Sequence, residues 1–290
     1  MCAPEHAVVA ADTVAAVVAT LRAGQRQRLV IGVGHGTCTC EGAAFEYTFD
    51  VEHELRMSGV HDLADVVYLT NEYELGDVGA GGMTFDQNGF TTSSRMWTES
   101  LLRERGVRAI QQAHVHRVDA DCTVEPFDEW TAEHWPRTYQ NPLGRNIFGI
   151  GIAFAPPHAI SRPRKSPRGT VIAPAPPRTG MPSGVMGRMV ERNLVDMIQG
   201  GAAAPTHSAS MGAMGAACNA SAGTGLRRGT AAAMTMYPIV PDLRRYPGTG
   251  RSSTDTYGEI GLAAHGTEHM LHYLFLYQAK ASPGWQLIPR

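Results

Sequence analysis

Cys38 and Cys40 lie two residues apart in the glycine-rich run IGVGHGTCTCEG, residues 31–42, and Cys218 stands far downstream in GAACNASAGTG. A thiol attacks as its thiolate, and the partial positive charge at a helix N-terminus favours that form. Cys40 precedes or opens a segment with helical spacing, so it reads as a reactive thiol. The plainer reading makes Cys40 and Cys218 small buried hydrophobes. Metal chemistry is a further option. His35, Cys38 and Cys40 gather soft donors within six residues, a set suited to copper or zinc, which would leave Cys218 buried and inert. His265, His269 and His272, with Glu268, recur at i, i+4 and i+7, which stacks three imidazoles on one helix face where a metal can accept two or three of them. Packing or interface histidines give the same pattern.

Gly32, Gly34 and Gly36 form G-x-G-x-G, and Thr37 holds the sixth position, where a dinucleotide turn takes Gly or Ala. The fingerprint is therefore incomplete. Glu72 is the candidate acidic residue for a ribose, at about twice the usual spacing of roughly 20 residues.

These residues need elements to hold them. Residues 6–24 are alanine-rich and apolar at helical spacing, and RLVIGV (28–33) is an apolar run like that of a buried parallel strand. The segment 41–59 places Ala44, Tyr47, Val51 and Leu55 on one helical side and ends at Gly59, a C-cap residue; DVVYLTN (65–71) follows as a strand. That makes a strand–helix–strand unit, with strands 28–33 and 65–70 adjacent and parallel. A third helix is expected between Ser94 and Arg105, then antiparallel additions at 109–119 and TVEPF. NIFGIGIAF (146–154) reads as a buried strand. The next 28 residues, to Pro182, hold eight prolines and five basic residues and read as a long loop. A helix follows with Val185, Met189, Val190 and Leu194 on one side and Gly200 after it. The stretch 201–225 has the composition of a flexible linker, and residues 261–280 close the chain as a helix. No internal repeat is evident.

The fold class is therefore α/β: a Rossmann-like parallel sheet with antiparallel additions and a C-terminal helical segment. With 25 basic and 27 acidic side chains the chain has no nucleic-acid footprint. It lacks an apolar run long enough to span a bilayer and a secretory signal pattern, so a cytoplasmic location is expected. The five cysteines are too few and too scattered for a disulfide framework.

Four runs occur in an order and spacing that resemble one family: GTCTCEGAAFEYTFDVEHELRMSG, VVYLTNEYELGDVGAGGM, NIFGIGIAFAPP and APPRTGMPSGVMGRMVERNLVDMIQG. The family is that of the sulfide:quinone oxidoreductases and the flavoprotein subunit of flavocytochrome c sulfide dehydrogenases. The resemblance implies a dinucleotide-fold flavoprotein that oxidises sulfide through a cysteine pair beside FAD and passes electrons to a quinone or a haem. It implies Cys40 and Cys218 as that pair, and a helix N-terminus at Thr179 and Gly180 over the flavin. It also implies a terminal helix near the membrane and the quinone.

The likeness is to the second half of such an enzyme. Residues 1–27 hold no counterpart of the FAD-binding strand and turn that open the family's first fold, and the segment between Phe127 and Asn146 lacks the return to that fold. Residues 1–127 then correspond to the second dinucleotide fold, and 128–290 to a flavin-capping and helical region. FAD would be held only together with a partner subunit or a second copy. Three readings stay open: a sulfur-acting redox protein using Cys40 and Cys218, a metal-binding protein, and a non-catalytic structural subunit on the same scaffold.

Overall fold

The computed structural model describes residues 4–33, 41–87, 89–113, 137–141, 144–153, 164–165, 171–172, 180–224 and 228–288. Helix α1 (Pro4–Arg22) leads into strand β1 (Gln27–Gly32), and helix α2 (Glu41–Met57) into strand β2 (Ala64–Leu69). β1 and β2 are parallel, pairing from Gln27↔Ala64 to Gly32↔Leu69, as the strand–helix–strand reading requires. Gly59, at φ 69°, ends α2 in the left-handed conformation that glycine adopts without strain. Helix α3 (Ser94–Glu104) starts where Ser93 accepts a hydrogen bond from the Met96 backbone N–H, a side-chain N-cap.

Strand β5 (Arg108–Ile110) pairs with β2 in parallel, giving the order β1-β2-β5. This corrects the antiparallel addition expected from residue 109: alternation reports exposure of one face, not strand direction. The remainder of 109–119 beyond Ala113, and TVEPF, lie outside the described residues. β1 also differs from a fully buried run. Its burial alternates, and Val30 is 58% exposed, because one face of the strand is left uncovered among the described residues.

NIFGIGIAF forms no strand over its described part. Phe148 makes one isolated bridge to Gln140, Ile147 and Ile150 are exposed, and Gly151, at φ 59°, turns the chain into a short 3-10 helix. Within the proline-rich segment, β6 (Arg164–Lys165) and β7 (Val171–Ile172) pair antiparallel. Helix α4 (Gly180–Ile198) begins at the expected position. The linker-like stretch contains instead β8 (Ala216–Thr224), which joins β9 (Arg228–Met236) and β10 (Tyr257–Gly261) in an antiparallel sheet of order β10-β9-β8. Helix α5 (Leu262–Ala279) follows. A hairpin, β3 (Thr84–Gln87) with β4 (Phe90–Ser93), packs by Phe85 against Gly258 of β10.

One hydrophobic core joins the two sheets. It runs from Val18 and Leu21 of α1 through Phe45, Phe49 and Leu55 of α2 and Val66 and Tyr68 of β2 to Ala220, Met234 and Met236 of the antiparallel sheet. A second, smaller cluster of Ala231, Ala233 and Ala264 seats α5 on that sheet. Arg251, 5% exposed, ties the layers together by donating to the carbonyls of Ala80, Gly82 and Ile239.

At Gly32 the approach of β1 to β2 leaves no room for a side chain, since a Cβ there would lie 1.7 Å from the Leu69 carbonyl oxygen. Gly32→Ala should therefore lower the unfolding free energy by at least about 2 kcal/mol, read as the urea midpoint at constant slope.

Candidate functional site

The parallel strands, α2 and the antiparallel sheet meet at a cavity beyond the C-terminal end of β2. Its walls come from Glu41, Gly42 and Phe45 of α2, Tyr68 of β2, and Glu72, Gly76 and Val78 of the following turn; α3 adds Thr98, and the sheet adds Cys218, Asn219, Ala220, Ala232 and Met234. It has room for about 20 Å³, one water-sized molecule. In open α/β folds, ligands bind outside the carboxyl ends of the parallel strands. Gly76 is required here: at φ 72°, a Cβ would sit 2.6 Å from the Ser94 carbonyl oxygen.

Glu72 does not reach for a ribose. It is 2% exposed, accepts from the Thr70 hydroxyl at 2.9 Å and the Val78 N–H at 3.0 Å, and so closes the 70–78 turn on itself. Burial raises its pKa to about 7 despite those hydrogen bonds. Glu41, also 2% exposed, is the first residue of α2, and neither carboxyl oxygen has a hydrogen-bond partner among the described residues. Burial, then the nearby Glu72 and Asp77 charges, push its pKa up to about 8. The Thr98 hydroxyl, on the same cavity wall, is likewise buried without a partner among the described residues. Farther along α2, Glu52 is fully buried but paired, with Arg105 at 3.0 Å and with Arg56.

Of the expected thiols, Cys218 is partly exposed, on β8 at the cavity wall. Cys40, Cys38 and His35 lie outside the described residues, as do Gly34, Gly36 and Thr179. Glu41, bonded to Cys40, lines the same cavity as Cys218.

The histidine helix is arranged around a different contact. His265 is 2% exposed; its Nδ1 lies 2.6 Å from the Ser221 hydroxyl, and its ring lies over Gly229, where a Cβ would clash at 2.0 Å. His269 meets the His265 ring edge-on at 4.6 Å, and His272 contacts Tyr273. Among the described residues, no group of three or more His, Cys, Asp or Glu is placed to hold a metal ion. Sequence reasoning missed the carboxyl pair beside this helix. Glu46 of α2 and Glu268 of α5 share a hydrogen bond, the Ser221 backbone N–H donates to Glu46, and burial and Glu268 together raise the Glu46 pKa to about 8. Glu46 had one visible signal: it lies six residues after Cys40 on the helix that the cysteine turn introduces.

Gly180 opens α4 beside Phe275 of α5, with a would-be Cβ 3.9 Å from the ring. Beyond its first turn, α5 leaves Met270, Tyr273, Phe275, Leu276 and Tyr277 exposed. No helix among the described residues is long and apolar enough to cross a membrane. The cavity takes a water rather than an isoalloxazine, and the space a Cβ would fill at Gly32 belongs to the β2 backbone, not to a pyrophosphate.

A parallel sheet with its helices, joined to an antiparallel sheet and a C-terminal helix, is a Rossmann-type α/β architecture. The structure of the sulfide:quinone oxidoreductase from the hyperthermophilic bacterium Aquifex aeolicus has this fold: TM-score 0.60, 22% identity, covering 87% of this chain and 58% of that one. In sequence the chain is similar to the sulfide-quinone reductase of Aquifex aeolicus (strain VF5), at 24% identity over 205 residues, 59% of this chain and 44% of the relative. The chain thus spans about half the length of the proteins it matches. No family model matches it.

The buried acids give stability a pH dependence. Glu41 and Glu72 hold protons in the folded chain that they release on unfolding, so their contribution is complete below the ordinary carboxyl range and is lost as pH rises through about 7 to about 8. The urea midpoint should fall between about pH 5 and about pH 8.5. Glu41→Gln should flatten that decline and exceed the parent in stability at the upper end.

Proposed function

We propose that this chain is a redox protein acting on sulfur through Cys40 and Cys218, related in chemistry to the sulfide:quinone oxidoreductases it resembles. Cys40 is the attacking thiolate and Cys218 the resolving thiol. Once Cys40 carries a sulfane sulfur as a persulfide, the Cys218 thiolate attacks the Cys40 sulfur; the Cys40–Cys218 bond forms and hydrosulfide leaves, an exchange balanced in atoms and charge. FAD, when bound, would supply two-electron acceptance. The observation that carries the reading is the shared cavity: Glu41, one peptide bond from Cys40, and Cys218 line it together at the C-terminal end of the parallel sheet.

The exposed apolar side chains of α5 support a membrane surface and a quinone as the electron-accepting side, through an interfacial helix rather than a span. A metal-binding role for His265, His269 and His272 has less support, because His265 already engages Ser221.

Mild oxidation of the purified chain with diamide, followed by digestion and mass spectrometry, should yield a peptide pair linked Cys40 to Cys218. Finding Cys38 linked to Cys40, with Cys218 still free, would overturn the paired-thiol reading.

FAD is proposed to be held jointly with a partner subunit or a second copy; the cavity beyond β2 supports this reading, since its room for about one water is too small for an isoalloxazine. Isothermal titration of the isolated chain with FAD should show weak binding or none. Tight stoichiometric binding to a monomer would contradict the shared site.

A further inference from the structure

We propose that Glu41 and Cys218 exchange a proton through the cavity they both line, so that Glu41 governs when the Cys218 thiol ionises. This rests on the reading of Cys218 as a working thiol and adds a residue to it. Both Glu41 carboxyl oxygens and the Thr98 hydroxyl are buried without a partner among the described residues, and both side chains line the cavity that Cys218 also borders. A bridging water takes two to four polar partners, and these three groups supply that number. The remaining walls, among them Phe45, Val78, Ala220, Ala232 and Met234, are apolar, and the cavity has room for about one water between the groups that line it.

Charge then fixes how the pair behaves. A thiolate and a carboxylate together would place two negative charges in a site of low dielectric, so one of them stays protonated and the two titrate as a unit. The transfer from Cys–SH to Glu–COO⁻ gives Cys–S⁻ and Glu–COOH, with no change in net charge and no electron moved. The other ionisable groups facing the cavity are Tyr68 on β2 and Glu72 in the turn after it; Asp77 acts on Glu41 from the same turn, with Arg251 behind it. Glu72 and Asp77 both favour keeping the proton on Glu41. Among the described residues, β8, β9 and α3 contribute no other ionisable wall residue.

The test is the rate of iodoacetamide alkylation of Cys218 in the full chain as a function of pH, read on the Cys218 peptide by mass spectrometry. The parent should show a two-step profile. Glu41→Gln should show one step displaced to lower pH, with alkylation about tenfold faster near pH 8, the equivalent of one unit in apparent thiol pKa. Glu41→Asp, which keeps the charge, should retain two steps. Superimposable profiles for the parent and Glu41→Gln overturn the proposal, as does a one-step profile in Glu41→Asp. A second reading needs no substitution at Glu41: in infrared difference spectra of the parent, a protonated-carboxyl band should shift when Cys218 is alkylated, and an unmoved band overturns the proposal. Loss of the Cys40–Cys218 cross-link with these effects intact would sink the paired-thiol reading alone; the converse would sink the Glu41 assignment alone.

Discussion

Helix α2 packs against β1 and β2 on one side and against β8 of the antiparallel sheet on the other, and it brings carboxyl groups into that confinement. A carboxylate removed from water must be paired, hydrogen-bonded or neutralised. The helix uses each solution at a different point. Glu52 is paired with two guanidiniums, and Arg105 also lies over the Phe49 ring at 4.5 Å. Glu46 shares a hydrogen bond with Glu268 and takes the backbone N–H of Ser221. Ser221 lies on β8, an outer strand of its sheet, so acidic side chains stand along an edge that would otherwise invite strand addition. Glu41 has no partner from another residue among the described residues, and it borders the cavity that Cys218 also lines.

The parts of the fold governed by period were legible in the sequence. The helix–strand–helix–strand opening, the α3 segment, the start of α4 and the last helix all follow from apolar spacing and glycine punctuation. The antiparallel sheet was not, because AACNASAGT and RGTAAAMTM lack the branched and aromatic residues that mark strands. Their strand identity comes from tertiary context: small side chains suit a layer with α2 on one face and α5 on the other. The GIGI alternation misled in the opposite sense, since the positive φ of Gly151 ends any extended run.

The site divides the same way. Cys218 draws notice in the sequence by its residue type, whereas Glu41 and Thr98 do not, because what distinguishes them is burial without a partner, a property of packing and not of composition. The histidine series shows how far spacing can carry an argument. The i, i+4, i+7 pattern does lie along one helix, yet a single glycine opposite it, Gly229, provides the space that turns His265 toward Ser221.

The alanine-rich construction of β8 and β9 bears on how such a sequence can drift. Ala220, Ala231, Ala232 and Ala233 are buried, and a larger residue at any of them would push one of two helices outward. Variation is therefore steered away from the strands. The apolar outer surface of α5 can change residue by residue without touching the layer beneath, so lineages built on this scaffold are free to alter what they dock against while the interior stays fixed.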